Sequence, residues 1–266
     1  DVEPLIMCPT EYNKAWSNVK GGYLTTLGEK LNKGIQIMWT GNSVIATIDR
    51  ETMDFINPLL KRKAYIWWNF PVSDYVRDHL LMGPVYGNAL DIKDEMEGFV
   101  SNPMEHAEAS KIALYSVADY AWNLSDYDSD LSWKLAIKDL MPQHAAYLET
   151  FAAHNSDLGA NGHRFRREES VALQPALEAL LSTYEKQHII DEDAWRQVNE
   201  ECSKIVTASD ILSVSQENQP FIAEITPWLM QFKLVGQYGE AVLQMMRRAV
   251  TDKTGFETAY EHAKSL

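Results

Sequence analysis

A chain of 266 residues, 45% of them hydrophobic, carries enough apolar side chain for more than one packed core. Its formal net charge of −14 leaves no basic stripe to displace counterions, which argues against a nucleic-acid partner. The longest apolar runs are too short to cross a bilayer, so no membrane span is expected.

In chain order, the first 124 residues alternate short apolar runs with amphipathic segments. Residues 5–8 read as a buried strand leading into Pro9, Thr10, Glu11 and Tyr12. A helical segment at 23–30 follows, and the run 35–39 then ends in Thr40 and Gly41. After a second helical segment at 51–62 comes the strongest strand, 64–68, which ends abruptly in Asn69, with Pro71 and Asp74 beyond it. Residues 91–97 read as a further amphipathic segment and 98–101 as a fourth strand. That strand ends at Asn102-Pro103 and is followed by a long helix over 104–122. Strand–helix alternation with a repeat of about thirty residues predicts βαβ units and a parallel sheet. Four such units make half of a (β/α)8 barrel, which takes roughly 250 residues. An open doubly wound sheet is the alternative, but no glycine-rich phosphate loop follows the first strand.

From Leu124 onward the pattern turns helical, over 131–140, 145–154, 170–187, 191–214 and 221–250. The expected fold is therefore α/β plus all-α. Residues 1–124 would form the second half (four βα units) of a TIM (β/α)8 barrel, and 125–266 a helical bundle domain. The acidic turn 125–130 is the natural joint. Pro142, Pro175, Pro220 and Pro227 mark helix starts or kinks. Cys8, in a buried strand, and Cys202, in the other domain, are not expected to pair.

Polar groups at the C-terminal ends of parallel strands sit where α/β proteins place ligand chemistry. Aromatic side chains beside an amide and a carboxylate suit a sugar ring, with C–H faces to stack and hydroxyls to bond. Each candidate also has a structural account. Tyr12 reads equally as a turn aromatic. Trp67 and Trp68 point to opposite faces, so one of them packs against outer helices. Asn102 before Pro103 could cap the following helix. Glu105 and His106 suit a helix start better than a metal pair, and no spacing makes a metal site, so no metal and no cofactor are expected.

Four ordered motifs carry a resemblance across essentially the whole chain. They are Cys8-Pro9-Thr10-Glu11-Tyr12-Asn13-Lys14, Met38-Trp39-Thr40-Gly41, Trp67 through Asp74, and Ser101-Asn102-Pro103. In order and spacing they resemble the second half of the catalytic barrel of bacterial O-GlcNAcases, glycoside hydrolase family 84. The likeness continues through His154-Asn155-Ser156 and on past Arg166-Arg167. The resemblance implies hydrolysis of terminal β-linked N-acetylglucosamine on a glycoconjugate or glycoprotein, by substrate-assisted retaining catalysis through an oxazoline. It also implies a periplasmic or secreted location and no cofactor. The family's adjacent aspartate pair, acid and acetamido-orienting group, is expected upstream of Asp1, because no Asp-Asp dipeptide occurs in these residues. The binding roles that the resemblance carries over fall on Tyr12 for the acetamido or reacting oxygen, and on Asn69, Asp74 and Asn102 for sugar hydroxyls. Trp67 becomes a pocket wall, and Thr40 and Val44 neighbours of the acetamido methyl group. No catalytic acid or base is expected in this chain.

Two other readings stand beside the enzyme piece: a non-catalytic sugar-binding module, and a protein-interaction module on a vestigial support. A half-barrel sheet leaves two open edges and an uncovered interior face, to which Trp39 and Trp67 are assigned. The expected partner is thus an N-terminal half-barrel, on the same or a separate chain, or a second copy. The loop 155–167, ending in Arg164, Arg166 and Arg167, is expected as a salt-bridged surface loop or a border of the cleft.

Overall fold

A computed structural model describes residues 5–156 and 169–266. The described residues divide into two compact units. One runs to Ala136 and includes Ser156; the other holds residues 137–155 and those from Glu169 onward.

The first unit is built on a four-stranded parallel sheet in the order β1-β2-β3-β4: β1 Ile6–Met7, β2 Gln36–Trp39, β3 Ala64–Pro71 and β4 Met96–Asn102. Helices α1 (Tyr23–Lys30), α2 (Arg50–Leu60) and α3 (Ala107–Trp122) lie between and after the strands. Side chains alternate in facing along each strand. Ile37, Trp39, Ala64, Ile66 and Trp68 are buried in one core with Leu24, Met53, Ile56, Leu60, Ala113, Val117 and Tyr120. Gln36, Met38, Tyr65, Trp67 and Val100, from the intervening positions, are only half-buried.

Trp39 faces α2, where its indole N–H donates to Thr52 Oγ1 at 3.0 Å and its ring lies 5.8 Å from that of Phe55. It is therefore not on the uncovered face assigned to it from the sequence. The period of two puts it with Ile37, and only Trp67 of that pair is on the open side. β1 is two residues long and Cys8 is exposed beyond it, correcting the reading of a buried strand cysteine. Residues 91–97 are not a helical segment. A 3-10 turn, Lys93–Glu95, leads directly into β4.

α1 and α2 meet at backbone distance. A Cβ on Gly28 would lie 2.2 Å from the Leu59 carbonyl oxygen and 2.7 Å from the Leu60 carbonyl carbon. The Arg62 guanidinium fastens the exit from α1, donating to the carbonyls of Leu31, Asn32 and Ile35 at 3.0, 2.8 and 2.6 Å.

α4 (Ser129–Leu140) spans the division, and α5 (Ala145–Ala153), α6 (Gln174–Gln187), α7 (Glu192–Val214), α8 (Gln219–Thr251) and α9 (Lys253–Ser265) form the helical unit. Its core joins Ala176, Leu180, Ala194, Val198, Cys202, Leu243 and Met246. Cys202 is buried and, like Cys8, free. Pro175 and Pro220 sit in the first turns of α6 and α8, where a missing N–H costs nothing, and Pro227 lies inside α8. α9 was not anticipated. Its start is fixed by the Asp252 carboxylate, which accepts the Thr254 N–H at 3.2 Å. The arginine cluster at 164–167 and most of its loop lie outside the described residues.

His154, at the end of α5, bridges two elements. Its Nδ1 meets Ser170 Oγ at 2.6 Å and its Nε2 meets Glu201 Oε1, on α7, at 3.1 Å; Lys204 holds the other Glu201 oxygen at 3.0 Å. Burial raises the Glu201 carboxyl, but hydrogen bonds from Lys204 and His154 and their charge outweigh it, holding the group below its usual 4.5. A carboxyl lowered by folding stabilises the folded state above its unfolded pKa, and that contribution fades as pH falls through the lowered value. Glu201→Gln should therefore reduce the urea midpoint at pH 7 and reduce it much less at pH 3.5. An equal reduction at both pH values would refute the ionic account.

Candidate functional site

The sheet's C-terminal end gathers most of the singled-out residues. The turn after β1 carries Tyr12. Its carbonyl accepts the Thr40 N–H at 2.8 Å and is 3.3 Å from the Thr40 hydroxyl, which also lies 2.9 Å from the Ser43 carbonyl. Thr40 is fully buried, and its polar groups hold the neighbouring loops. The Lys14 and Ala15 N–H groups donate to the Gly41 and Asn42 carbonyls at 3.0 Å each, which locks the two loops together.

Tyr12 then packs against Trp67, the half-buried member of the tryptophan pair, with ring centroids 5.5 Å apart. Trp68 is the packing member. It is fully buried, its ring is 4.6 Å from that of Phe70, and its indole N–H donates to the Ala46 carbonyl at 2.8 Å.

Between Trp68 and Pro71 the ladder slips. Trp68 pairs with Ser101 and Pro71 with Asn102, so Asn69 and Phe70 have no counterparts in β4. Such a bulge re-aims a side chain. Here it directs the Asn69 amide across the strand ends. Asn69 is 4% exposed; its Nδ2 donates to the Val44 carbonyl at 2.7 Å and its Oδ1 accepts from Asn102 Nδ2 at 3.0 Å. Asn102 ends β4 and spends its amide on this relay. The helix cap read for it is not seen, since α3 begins at Ala107 after His106, with no side-chain cap. Beyond these two bonds, the Asn69–Asn102 pair keeps three lone pairs, two of them on Asn102 Oδ1, and two N–H groups.

Asp74 stands apart. It is exposed, and among the described residues no hydrogen bond ties its carboxylate to the other six. Its backbone carbonyl accepts from Arg77 Nε at 3.4 Å. The Glu11 carboxylate is committed locally, accepting the Asn18 N–H at 2.8 Å.

Two residues that were not singled out belong here. Asn13 is fully buried and its Oδ1 accepts the Trp16 N–H at 2.9 Å. Trp16 lies edge-on to Tyr12, centroids 5.1 Å apart. The four-residue spacing of two aromatics around an asparagine turn was the available signal. A hollow of about 530 Å³ in the helical unit, lined by Tyr147, Thr150, Glu200 and Lys204, involves none of these residues. The chemistry converges at the open sheet end instead.

Residues 1–153 match the family described as beta-N-acetylglucosaminidase, and residues 169–266 match the bacterial GH84 post-catalytic domain. Mouse protein O-GlcNAcase is 33% identical over 134 residues, which cover 48% of this chain and 15% of that protein. The solved structure of CpGH84B superposes with a TM-score of 0.91 at 28% identity, covering 99% of this chain and 47% of that one. A substituted Thermobaculum terrenum O-GlcNAc hydrolase gives 0.83 at 27% identity, over 97% of this chain and 54% of that one. The chain thus spans about half the length of the solved relatives and 15% of the curated one. With residues 1–153 matched to the beta-N-acetylglucosaminidase family and residues 169–266 to the bacterial GH84 post-catalytic domain, the chain belongs to the β-N-acetylglucosaminidases of glycoside hydrolase family 84.

Proposed function

We propose that this chain supplies the sugar-holding half of the active site of an enzyme that hydrolyses terminal β-linked N-acetylglucosamine. The observation that carries this reading is the cluster of Tyr12, just after β1, with Trp67 and Asn69 of β3 and Asn102 of β4, all in one parallel sheet. Trp67 and Tyr12 offer aromatic surface to the ring, Asn102 and Asp74 bond its hydroxyls, and Thr40 and Val44 shape the acetamido methyl pocket. Asn69 acts mainly through Asn102, which it holds.

The chemistry is substrate-assisted. The acetamido oxygen attacks the anomeric carbon as the bond from that carbon to the leaving oxygen breaks. A carboxylic acid delivers a proton to the leaving oxygen, and a second carboxylate polarises the acetamido N–H. Water then opens the oxazoline with retention, returning its proton to the first carboxylate. Both carboxylates belong to the N-terminal half-barrel, which would also pair with β1 and β4, the strands at the two sheet edges. An unpaired parallel sheet with one face uncovered is an association surface.

Separate purification tests this. Residues 1–266 alone should self-associate and leave an aryl N-acetylglucosaminide intact. Adding an N-terminal half-barrel that ends in an Asp-Asp strand should yield a 1:1 complex with turnover. A monodisperse, cooperatively unfolding monomer would remove the half-barrel reading. Sugar binding without turnover in the complex would favour a binding module.

A further inference from the structure

Trp16 is 58% exposed, yet it is neither isolated nor loosely held. Single exposed apolar side chains are ordinary; this one ends a contiguous aromatic row. Exposure rises along it from Asn69, buried at the bulge, through half-buried Trp67 and Tyr12, to Trp16. The row also turns. Trp67 and Tyr12 are inclined by 36°, whereas the Trp16 ring is rotated 67° from that of Tyr12. The inner pair makes one continuous surface, and Trp16 stands across its outer end.

The turn that carries it is rigid. Asn13 Oδ1 holds the Trp16 N–H, Ser17 Oγ donates to the Lys14 carbonyl at 2.8 Å, and Glu11 accepts the Asn18 N–H. An exposed indole on a locked turn is placed in advance for contact, and such a group binds without a large ordering cost.

We infer that Trp16 is a specificity-determining residue that contacts the polypeptide bearing the sugar rather than the sugar itself. This rests on the proposed function. A site that takes a terminal sugar encloses the ring, and only the leaving group projects outward from it. Tyr12, assigned to the acetamido or reacting oxygen, separates Trp16 from the Trp67 wall, so the indole stands outside the part of the row that meets the ring, on the side from which a leaving group projects. A flat face held across the row suits peptide backbone and aliphatic side chains. A continuing glycan would be served better by a platform coplanar with the inner pair.

The test uses the assembled enzyme and two substrates that share the sugar: a serine-linked glycopeptide and β-N-acetylglucosaminyl fluoride, whose leaving group is one atom. Trp16→Ala should lower kcat/KM on the glycopeptide by about three- to tenfold, mostly through KM, on the scale of one lost aromatic contact. The fluoride should stay within about twofold, and Trp16→Phe should recover most of the loss. An equal fall on both substrates, or no fall on the glycopeptide, overturns the inference. So does a loss confined to a β-1,4-linked N-acetylglucosamine disaccharide. Failure of the underlying function would look different, as unsubstituted enzyme inert towards the fluoride. Intrinsic-fluorescence titration decides in that case. A thio-linked glycopeptide must bind several-fold more tightly than methyl N-acetylglucosaminide, with the advantage lost in Trp16→Ala; equal binding refutes the role.

Discussion

Asp74→Ala is expected to lower kcat/KM of the assembled enzyme by roughly ten- to a few-hundredfold on substrates of every leaving group. The exposed Asp74 carboxylate keeps both oxygens for a ligand. Hydrogen bonds to a charged group contribute about 1.5–3 kcal/mol, and about 1.4 kcal/mol corresponds to one decade in rate. The pH–rate profile should keep its shape, because the role proposed for Asp74 is to hold hydroxyls and not to transfer a proton. Asp74→Asn, which keeps one acceptor oxygen, should fall between the two. Unchanged kcat/KM in Asp74→Ala would remove it from the site, and loss of one limb of the profile would make it an acid or base.

Gly28→Ala should be among the most damaging small changes in the chain, although helix propensity alone predicts the opposite. Alanine is favoured over glycine inside a helix by about 1 kcal/mol. Against that stands a Cβ placed 2.2 Å from a backbone oxygen of α2. A side-chain end could rotate away, but Leu59 O and Leu60 C move only if the helices part. Separation also strains the Arg62 hydrogen bonds to Leu31, Asn32 and Ile35. Overpacking of this kind costs about 1–3 kcal/mol and sometimes more. The expected net loss is about 1–2 kcal/mol, a fall of a few degrees in Tm by the usual scaling. A Tm that holds or rises would show that α1 docks less tightly than the distances require.

What was legible in the sequence follows from how burial writes itself there. A strand buried on one face and carrying large aromatic side chains on the other reads as an unbroken apolar run, and 64–68 was plain for that reason. The polar ends of the runs were equally visible. Residues 91–97 misled because their run of charged side chains, broken only by Ile92 and Met96, fits a helix and a turn-then-strand equally well. α9 was missed because its apolar positions are sparse and Phe256 and Tyr260 are exposed; Ala263 alone of these is buried. Its one clear mark was Asp252 before Thr254. The family, through its motifs, was legible, and the matches to both parts of the chain agree with it. The Asn69 relay was not. It depends on a two-residue slip between neighbouring strands, and register is a property of the pair that neither run records alone.

That relay makes the site's contributors inseparable. Asn102 is held by Asn69, and Asn69 by the Val44 carbonyl in the loop after β2, so one line of amides joins the ends of β2, β3 and β4. Removing the middle member leaves a part-buried carbonyl without this donor on one side and frees an amide on the other. Energies measured at these positions one at a time would therefore sum to more than the whole. The rim behaves as a single part with three attachments, and a ligand that orders any one of them has already gone some way towards ordering the rest.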